Sequence, residues 1–299
     1  MQFLRIYVMK KKSSNLVLRI LKIFFTVVII LLVTYSVLFS LAGTAAIIIG
    51  YQLITKPIKE VKALKTTNPT ETAFMKQYKE ELVRESGSDT LKHIFVPLDS
   101  ISKNLRSSVI ASEDDGFYTH PGIDLEAMIQ AAAYNRTQGE VKRGASTITQ
   151  QMAKNLFLSK ERSFKRKIKE LAYAMLMERY LGKDRILELY LNYAQWGKNI
   201  FGCEAASQEY FKKSSYNLSR TESARLAAVL AMPSKLSPHH TKSIFMSKRI
   251  AVIANNLYLH KIINDSTYFS LTGKLPATKD DSITVEKKRE EIPEQRKMF

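Results

Sequence analysis

Two polar segments lie close together in the sequence: SEDDGFYTHPG at residues 112–122 and GASTITQQMAKN at residues 144–155. Carboxylates, a histidine, hydroxyls, amides and a lysine are concentrated there, between stretches with apolar residues at helical spacing. This is the composition of a polar site that is built into a hydrophobic core. The rest of the chain is predicted to be a mostly α-helical scaffold around these two segments.

Apolar periodicity and capping residues predict the helices of that scaffold. Asp124 is a predicted N-cap for a helix over 125–136, and T-I-T-Q at 147–150 matches a capping box that would start the next helix. A second capping box, S-R-T-E at 219–222, is predicted to start a helix that ends before Pro233. The sequence contains no run of alternating strands. Further helices are predicted over 99–111, 164–181, 184–191, 202–211 and 244–263.

Composition narrows the class of protein. The 299 residues carry a formal net charge of +18, which favours polyanionic partners: nucleic acid, an anionic membrane face or a phosphorylated substrate. The single cysteine, Cys203, excludes an intrachain disulfide and a multi-cysteine metal site. The five histidines show no metal-ligand spacing such as HExxH, which argues against a zinc enzyme.

An uncharged run over residues 23–54 favours the membrane among these partners, because a bilayer core needs roughly 20 apolar residues. Residues 1–22 hold lysines and arginines but no acid, so the positive-inside rule predicts a cytoplasmic basic tail there. Residues 23–54 are therefore predicted to be a single-pass anchor in the bacterial inner membrane, and the domain that follows them is predicted to lie on the outer face. A cleaved signal peptide is the alternative, but the run exceeds the roughly 7–15 residues of a signal h-region. An exported domain would not meet nucleic acid, so the positive charge is assigned to lipid headgroups or a phosphorylated lipid.

The remaining chain divides by composition. A polar, charged stalk is predicted over 55–91, a folded domain over 92–275, and a charged, disordered tail over 276–299.

Four motifs occur in order along the predicted domain. They are E-D-x-x-F-x-x-H-x-G at 113–122, G-x-S-T-I-T-Q-Q-x-x-K-N at 144–155, R-K-x-x-E at 166–170 and R-I-L-E-L-Y-L-N at 185–192. Their order and spacing resemble those of the family 51 glycosyltransferases, the peptidoglycan glycosyltransferases. Since 299 residues leave no room for a penicillin-binding transpeptidase domain, the monofunctional form is expected.

The resemblance implies a lysozyme-like helical domain that polymerises lipid II outside the cytoplasmic membrane. In that reaction the 4-hydroxyl of an acceptor sugar attacks the anomeric carbon of a donor. Undecaprenyl pyrophosphate leaves with inversion, and a β-1,4-linked glycan grows. The expected partners are lipid II, the nascent glycan strand, the cell membrane and other wall-synthesis or division proteins, but not nucleic acid.

Two glutamates are the candidate catalytic residues. Glu113 is expected to take the proton of the acceptor hydroxyl, and a positioned base contributes about 10²–10⁴ in rate. Glu170 lies three residues from Lys167 and four from Arg166, on the same helix face. The resemblance makes it the second essential carboxylate, which holds basic residues or a divalent ion around the pyrophosphate; a simple ion pair is the alternative.

The other site assignments divide between substrate contact and structural support. Hydroxyls and amides at a helix start suit sugar and phosphate oxygens, and cations suit a pyrophosphate leaving group. The predicted substrate-binding residues are Asp114, Phe117, His120, Ser146, Thr147, Gln150, Gln151, Lys154, Asn155, Arg162, Arg166 and Lys167. The predicted supports of the site are Gly122, Gly144, Glu188 and Asn192. Three of these residues have an alternative structural role: Phe117 in packing, Thr147 in helix capping and His120 in orienting the first motif.

A divalent ion, Mg²⁺ or Mn²⁺, is expected near the pyrophosphate, its ligands unassigned, with no organic cofactor. Two departures from the family pattern are Gly116, where many relatives carry a basic residue, and Ala145, where a glycine is common. Neither position is assigned to chemistry.

Two other functions stay open at this point. A lysozyme-like lytic hydrolase would also use one glutamate, but cutting glycan requires no pyrophosphate pocket such as the basic segment 166–170 suggests. A non-catalytic, membrane-anchored wall scaffold would share the anchor and would keep its cellular function after Glu113→Gln.

Overall fold

The computed structural model describes residues 2–138, 144–161 and 163–276. The chain divides into two units, Met1–Lys59 and Glu60–Phe299. The first unit consists of the greater part of helix α1, Gln2–Ala63. From Leu18 onward α1 is long and apolar enough to cross a membrane, and its large side chains, such as Phe24 and Phe39, are exposed. This fits the predicted single-pass anchor, since a soluble core helix would bury such side chains.

The second unit is built mainly of helices, which confirms the mostly α prediction. Its helices are α2 (Ala73–Ser86), α3 (Lys103–Glu113), α4 (Leu125–Gln138), α5 (Ile148–Phe157), α6 (Phe164–Tyr180), α7 (Lys183–Tyr193), α8 (Cys203–Phe211), α9 (Arg220–Val229), α10 (Ile244–Leu259) and α11 (Asp265–Thr272).

The helix starts follow local side-chain chemistry. The Asp124 carboxylate accepts a hydrogen bond from the Ala127 amide at 2.8 Å, as expected for the N-cap of α4. Ser219 and Glu222 form the complete capping box that was predicted for α9. Thr147 caps α5, but Gln150 does not close the predicted box, because its side chain faces Lys167 instead.

A small three-stranded sheet accompanies the helices. It consists of β1 (Lys92–His93), β2 (Gln195–Gly197) and β3 (Ile200–Phe201), in the order β1-β3-β2. Strand β1 pairs parallel to β3, with Lys92 opposite Ile200, and β2 pairs antiparallel. This sheet was not predicted, because strands of two or three residues are too short to show alternation.

The core lies among α3, α5, α7, α9 and α10. Its largest fully buried side chains include Trp196, Tyr190, Tyr193 and Phe201, and the chain's single cysteine, Cys203, is also fully buried. Helix α5 packs against α6 and α7, and α3 packs against α9 and α10, so the helices that carry the motif residues are held in place by the core.

Residues 60–91 pack into this unit and do not form a separate stalk. Val61, Leu64, Met75 and Leu82 are buried, and α2 packs against α5. The packed unit therefore starts at Glu60, well before residue 92, where the sequence placed the domain boundary. Because α2 is rich in charged residues, its few buried apolar side chains did not lead to a prediction that it packs into the domain. Apart from Pro276, the predicted tail over 276–299 lies outside the described residues.

Candidate active site

Glu113 is the last residue of α3, and three side chains hold its carboxylate. Its Oε1 accepts hydrogen bonds from Arg249 Nη2 at 2.8 Å and from Ser112 Oγ at 3.0 Å. Its Oε2 accepts one from Gln151 Nε2 at 3.2 Å. The Glu113 side chain is 12% exposed. This Glu113 cluster (Ser112, Glu113, Gln151, Arg249) fixes the orientation of a carboxylate that solvent can still reach.

Three side chains of this network, those of Ser112, Arg249 and Tyr190, were not assigned to the site from the sequence. Arg249 lies on α10, 136 residues from Glu113, and belongs to no motif. Tyr190 lies in the fourth motif, and its hydroxyl donates to Gln151 Oε1 at 3.0 Å. No local sequence pattern identifies Arg249 as a site residue. Tyr190 could have been proposed as one, because it is a large residue with a hydroxyl group inside the fourth motif.

Asp114 points into the interior and joins the two polar segments. Its Oδ1 accepts from His120 Nε2 at 2.8 Å, and its Oδ2 accepts from the Ile148 amide at 2.9 Å. The Gly122 amide donates to His120 Nδ1, which assigns the ring proton to Nε2. Burial raises the pKa of Asp114, and these hydrogen bonds oppose the shift. Because protein groups engage both oxygens, the geometry favours a positioning role over the predicted substrate contact, for His120 as well as for Asp114.

Gly122 is a support of the site for a steric reason. Its φ is +87°, and a Cβ there would lie 2.6 Å from Glu178 Cγ. The Thr147 hydroxyl donates to the Gly122 carbonyl at 2.7 Å and also caps α5. Thr147 is buried, so its predicted substrate contact is corrected to a structural role. At Gly144, by contrast, a Cβ would meet no neighbour within 4 Å among the described residues, so no steric reason for a glycine is found there.

Phe117 is another correction. The side chain is fully buried, and Lys183 Nζ lies 4.5 Å from its ring centroid. A substrate sugar cannot reach this ring, so Phe117 packs the first motif against α7 instead of binding substrate. Lys183 also donates to the His120 carbonyl at 2.8 Å, which fastens the same loop.

The second glutamate, Glu170, is 3% exposed and is held by its own helix. Arg166 Nη1 donates to its Oε2 at 2.8 Å, and Lys167 Nζ donates to its Oε1 at 2.5 Å. Lys167 also lies 3.4 Å from Gln150 Oε1 and 3.5 Å from Ser146 Oγ. This Glu170 cluster (Arg166, Lys167, Glu170) therefore joins the second and third motifs. Arg162 lies outside the described residues.

A cavity of about 400 Å³ adjoins the Glu113 cluster at Gln151. Lys154 and Asn155 of the second motif line it, as does Tyr190. Residues 232–235, which follow α9 and were not singled out from the sequence, also line it. The cavity thus brings predicted substrate-binding residues together with Gln151, which donates to the oriented carboxylate.

Glu188 and Asn192 support the chain that leads into α3. Asn192 Oδ1 accepts from the Val96 amide at 2.9 Å, and its Nδ2 donates to the Val96 carbonyl at 2.9 Å. Glu188 Oε1 accepts from the Leu98 amide at 2.8 Å, and its other oxygen pairs with Arg185. Neither touches Glu113 directly, so their support reaches the site through residues 96–98.

Comparison with known proteins identifies the family of the chain. A family model described as Transglycosylase matches residues 79–258. The chain is 42% identical over 190 residues to the biosynthetic peptidoglycan transglycosylase of Paraburkholderia xenovorans (strain LB400), which covers 64% of this chain and 79% of that protein. It is 43% identical over 190 residues to the protein of the same name from Burkholderia orbicola (strain MC0-3), covering 64% and 77%. The chain belongs to the transglycosylase family.

Membership confirms the resemblance carried by the four motifs and shows that the chain is a glycosyltransferase enzyme. The segment that matches the transglycosylase model contains all four motifs, and also Arg249. It begins inside α2, which agrees with the packing of α2 into the domain.

In this transglycosylase one group of side chains within the described residues has the spacing of metal ligands. Ligand atoms of Asp114, His120 and Asp124 lie within 4.8 Å of one another. Hydrogen bonds within the protein already use these groups: His120 donates to Asp114, and Asp124 caps α4. Internal hydrogen bonding accounts for the group without an ion.

Proposed function

We propose that this transglycosylase polymerises lipid II into the β-1,4-linked glycan strands of peptidoglycan. Undecaprenyl pyrophosphate leaves, and the configuration at the donor anomeric carbon inverts. The observation that carries the proposal is the Glu113 carboxylate, held in one orientation by Arg249, Ser112 and Gln151 beside a cavity. The name shared by the two relatives supports the same substrate class.

Glu113 acts as the general base in this proposal. The acceptor 4-hydroxyl oxygen forms a bond to the donor anomeric carbon while its proton passes to Glu113 Oε2. The bond between that carbon and the pyrophosphate oxygen breaks, and its electron pair leaves with the pyrophosphate. Oε2 accepts a single hydrogen bond from the described residues, so it retains a lone pair for the proton. A base placed in this way contributes about 10²–10⁴ in rate.

The Glu170 cluster stabilises the leaving group. Two cations against one carboxylate leave a net positive charge at the start of α6, which suits a departing pyrophosphate. Glu170 is too deeply buried to reach the sugar, so it acts by holding Arg166 and Lys167 in place. Two buried donors nearby, Arg166 Nε and Gln150 Nε2, have no acceptor among the described residues, as expected where an anion completes a site.

A divalent ion would have to come with the substrate. Arg166 and Lys167 already occupy both oxygens of Glu170, so the described residues do not form a carboxylate site for Mg²⁺ or Mn²⁺ on the pyrophosphate side. Mg²⁺ characteristically binds one or two carboxylates together with substrate phosphates. We therefore expect a residual polymerisation rate in the presence of a chelator. Complete loss of activity with a chelator, restored by Mg²⁺ or Mn²⁺, would contradict this. No organic cofactor is proposed.

The proposed location follows from the charge distribution along the chain. Lysines and arginines before the apolar run favour a cytoplasmic N-terminus, with the catalytic unit on the outer face of the inner membrane. Exposed apolar side chains on α6, Phe164, Ile168 and Met175, recur at helical spacing and suit contact with a lipid surface. We also propose that wall-synthesis or division proteins recruit the enzyme. The membrane anchor is the one observation that supports this.

Labelled lipid II distinguishes the three candidate functions. Polymer without soluble sugar fragments supports transfer, whereas release of fragments from preformed glycan supports a lytic hydrolase. A scaffold would do neither.

Glu113→Gln tests the base directly. We expect the rate of lipid II polymerisation to fall at least about 10²-fold, because the amide cannot accept the proton. Asp115→Asn is the matched control: the same chemical change two residues along, at an exposed carboxylate that pairs with His260 at 2.9 Å. It should keep the rate within about threefold, as a surface pair contributes little. Polymerisation that survives Glu113→Gln would show that another group is the base.

A further inference from the structure

Three side chains from three helices form a hydrogen-bonded chain that ends on Glu113. Tyr190, on α7, is 2% exposed, and its hydroxyl donates to Gln151 Oε1 at 3.0 Å. Gln151, on α5, donates from Nε2 to Glu113 Oε2 at 3.2 Å. Within the described residues the hydroxyl of Tyr190 is hydrogen-bonded to Gln151 and not to the carboxylate, so the hydrogen-bonded route from Tyr190 to Glu113 passes through the amide.

We propose that Tyr190 is a positioning residue of the transfer reaction, which fixes the amide of Gln151 and through it the proton-accepting oxygen of Glu113. This rests on the proposed function, in which Glu113 is the base.

The orientation of the Gln151 amide decides whether it supports or repels Glu113. As placed, Nε2 faces two acceptors, Glu113 Oε2 and the Ser146 carbonyl at 3.4 Å. A half-turn of the amide would bring Oε1 against the carboxylate, with no hydrogen between two electron-rich oxygens. In the favourable orientation Oε1 needs a donor of its own, and the Tyr190 hydroxyl is that donor.

Tyr190 keeps its proton under working conditions. Burial raises its pKa well above the usual range, and the nearby negative charge of Glu113 adds to the shift. Without the hydroxyl, Gln151 Oε1 would lose its donor within the described residues, and because Gln151 is half-buried and lines the cavity, water becomes its alternative partner. The amide would then turn or move toward water, and the hydrogen bond to Glu113 would be lost.

Loss of the hydrogen bond from Gln151 would affect one oxygen of Glu113, Oε2. Arg249 and Ser112 hold Oε1, whereas Gln151 alone among the described residues holds Oε2. Oε2 is also the oxygen that receives the proton in the proposed reaction. Loss of the Tyr190 hydroxyl should therefore lower kcat and leave the KM for lipid II nearly unchanged.

The test compares two tyrosine-to-phenylalanine variants of the full chain on α7. Tyr190→Phe should lower kcat about 5- to 30-fold, with KM within about twofold, since one buried hydrogen-bond partner is removed. Tyr193→Phe is the matched control, because Tyr193 is also buried but donates to the Pro69 carbonyl at 2.5 Å, away from Glu113. Its kcat should stay within about twofold of the wild type. Thermal unfolding of both variants shows how much stability each hydroxyl contributes.

A double variant tests the route through the amide. In a Gln151→Ala background, Tyr190→Phe should lower kcat by no more than about twofold further, because coupled residues are not additive. An additional loss as large as in the wild-type background would overturn the proposed route.

The remaining outcomes separate this inference from the proposed function. Wild-type kcat in Tyr190→Phe, with Glu113→Gln inactive, overturns the positioning role and leaves the base in place. Equal losses of kcat and of thermal stability in Tyr190→Phe and Tyr193→Phe also overturn it, because the effect would then be structural. An active Glu113→Gln overturns the function on which the inference rests.

Discussion

Glu113 and Glu170 are both held by basic side chains, but their partners come from different distances along the chain. Arg166 and Lys167 reach Glu170 from the preceding turn of the same helix. Arg249 reaches Glu113 from 136 residues away. The Glu170 cluster can form as soon as α6 forms, whereas the Glu113 cluster requires α3, α5 and α10 to be packed together.

The two carboxylates also differ in how fully they are engaged. Cations from the protein occupy both oxygens of Glu170, whose side chain is 4% exposed. The Glu113 side chain is 12% exposed, and its Oε2 has one donor within the described part of the chain. A saturated, buried carboxylate is suited to holding cations, and a partly open one is suited to accepting a proton. The difference separates a positioning glutamate from a reacting one.

Removing the charge of the saturated carboxylate should have the larger effect. Glu170→Gln leaves Arg166 and Lys167 without the anion that fixes them, so the rate of lipid II polymerisation should fall about 10²–10³-fold. Glu126→Gln, at an exposed glutamate on α4, is the control and should keep the wild-type rate. A Glu170→Gln enzyme with nearly full activity would show that the two cations need no anchor.

Removing the distant partner of Glu113 should have an intermediate effect. Hydrogen bonds to charged groups contribute about 1.5–3 kcal/mol, so Arg249→Met should lower kcat about 10- to 100-fold. Arg249→Lys keeps the charge but loses the planar guanidinium, and it should recover part of that loss. Equal activity in Arg249→Met and the wild type would mean that Ser112 and Gln151 orient Glu113 without help from α10.

The smallest effect concerns stability and its pH dependence. Burial raises the folded-state pKa of Asp114 above its unfolded value of about 3.9. A raised carboxyl pKa means that the folded state binds the proton more tightly, so this contribution to stability is fully present below about pH 4 and is lost as the pH rises through the folded pKa. Asp114→Asn, which cannot titrate, should therefore destabilise the protein more in acid than at neutral pH.

Urea unfolding of both proteins across this pH range measures the difference. A destabilisation that grows as the pH rises would show that the hydrogen bonds from His120 and the Ile148 amide outweigh the burial of Asp114.

Local features of the site could be predicted from the sequence, and distant ones could not. The spacing of Arg166, Lys167 and Glu170 predicted a shared helix face, and the Ser219 capping box formed as expected. Arg249 carries no local signal, because its partner is set by the packing of α10 on α3.

Two predictions were wrong for a related reason. Phe117 lies in a polar motif, and only the fold shows that its ring is buried. Residues 60–91 are rich in charge, and only the contacts of Val61 and Met75 show that they belong to the core. A residue type indicates what a side chain can do, while burial decides whether a substrate can meet it.

Cys203 makes the protein a convenient background for site-specific labelling. It is the single cysteine in the sequence and is fully buried, and burial raises the pKa of its thiol to about 12, with the neighbouring Glu204 adding to the shift. Thiol reagents react with the thiolate, so Cys203 should stay unmodified in the folded protein. A cysteine introduced at an exposed position such as Ala132 on α4 would then be the one residue that a thiol-reactive fluorophore labels. The single substitution Ala132→Cys is therefore enough to attach a reporter of lipid contact and glycan growth, and Cys203 does not have to be removed first.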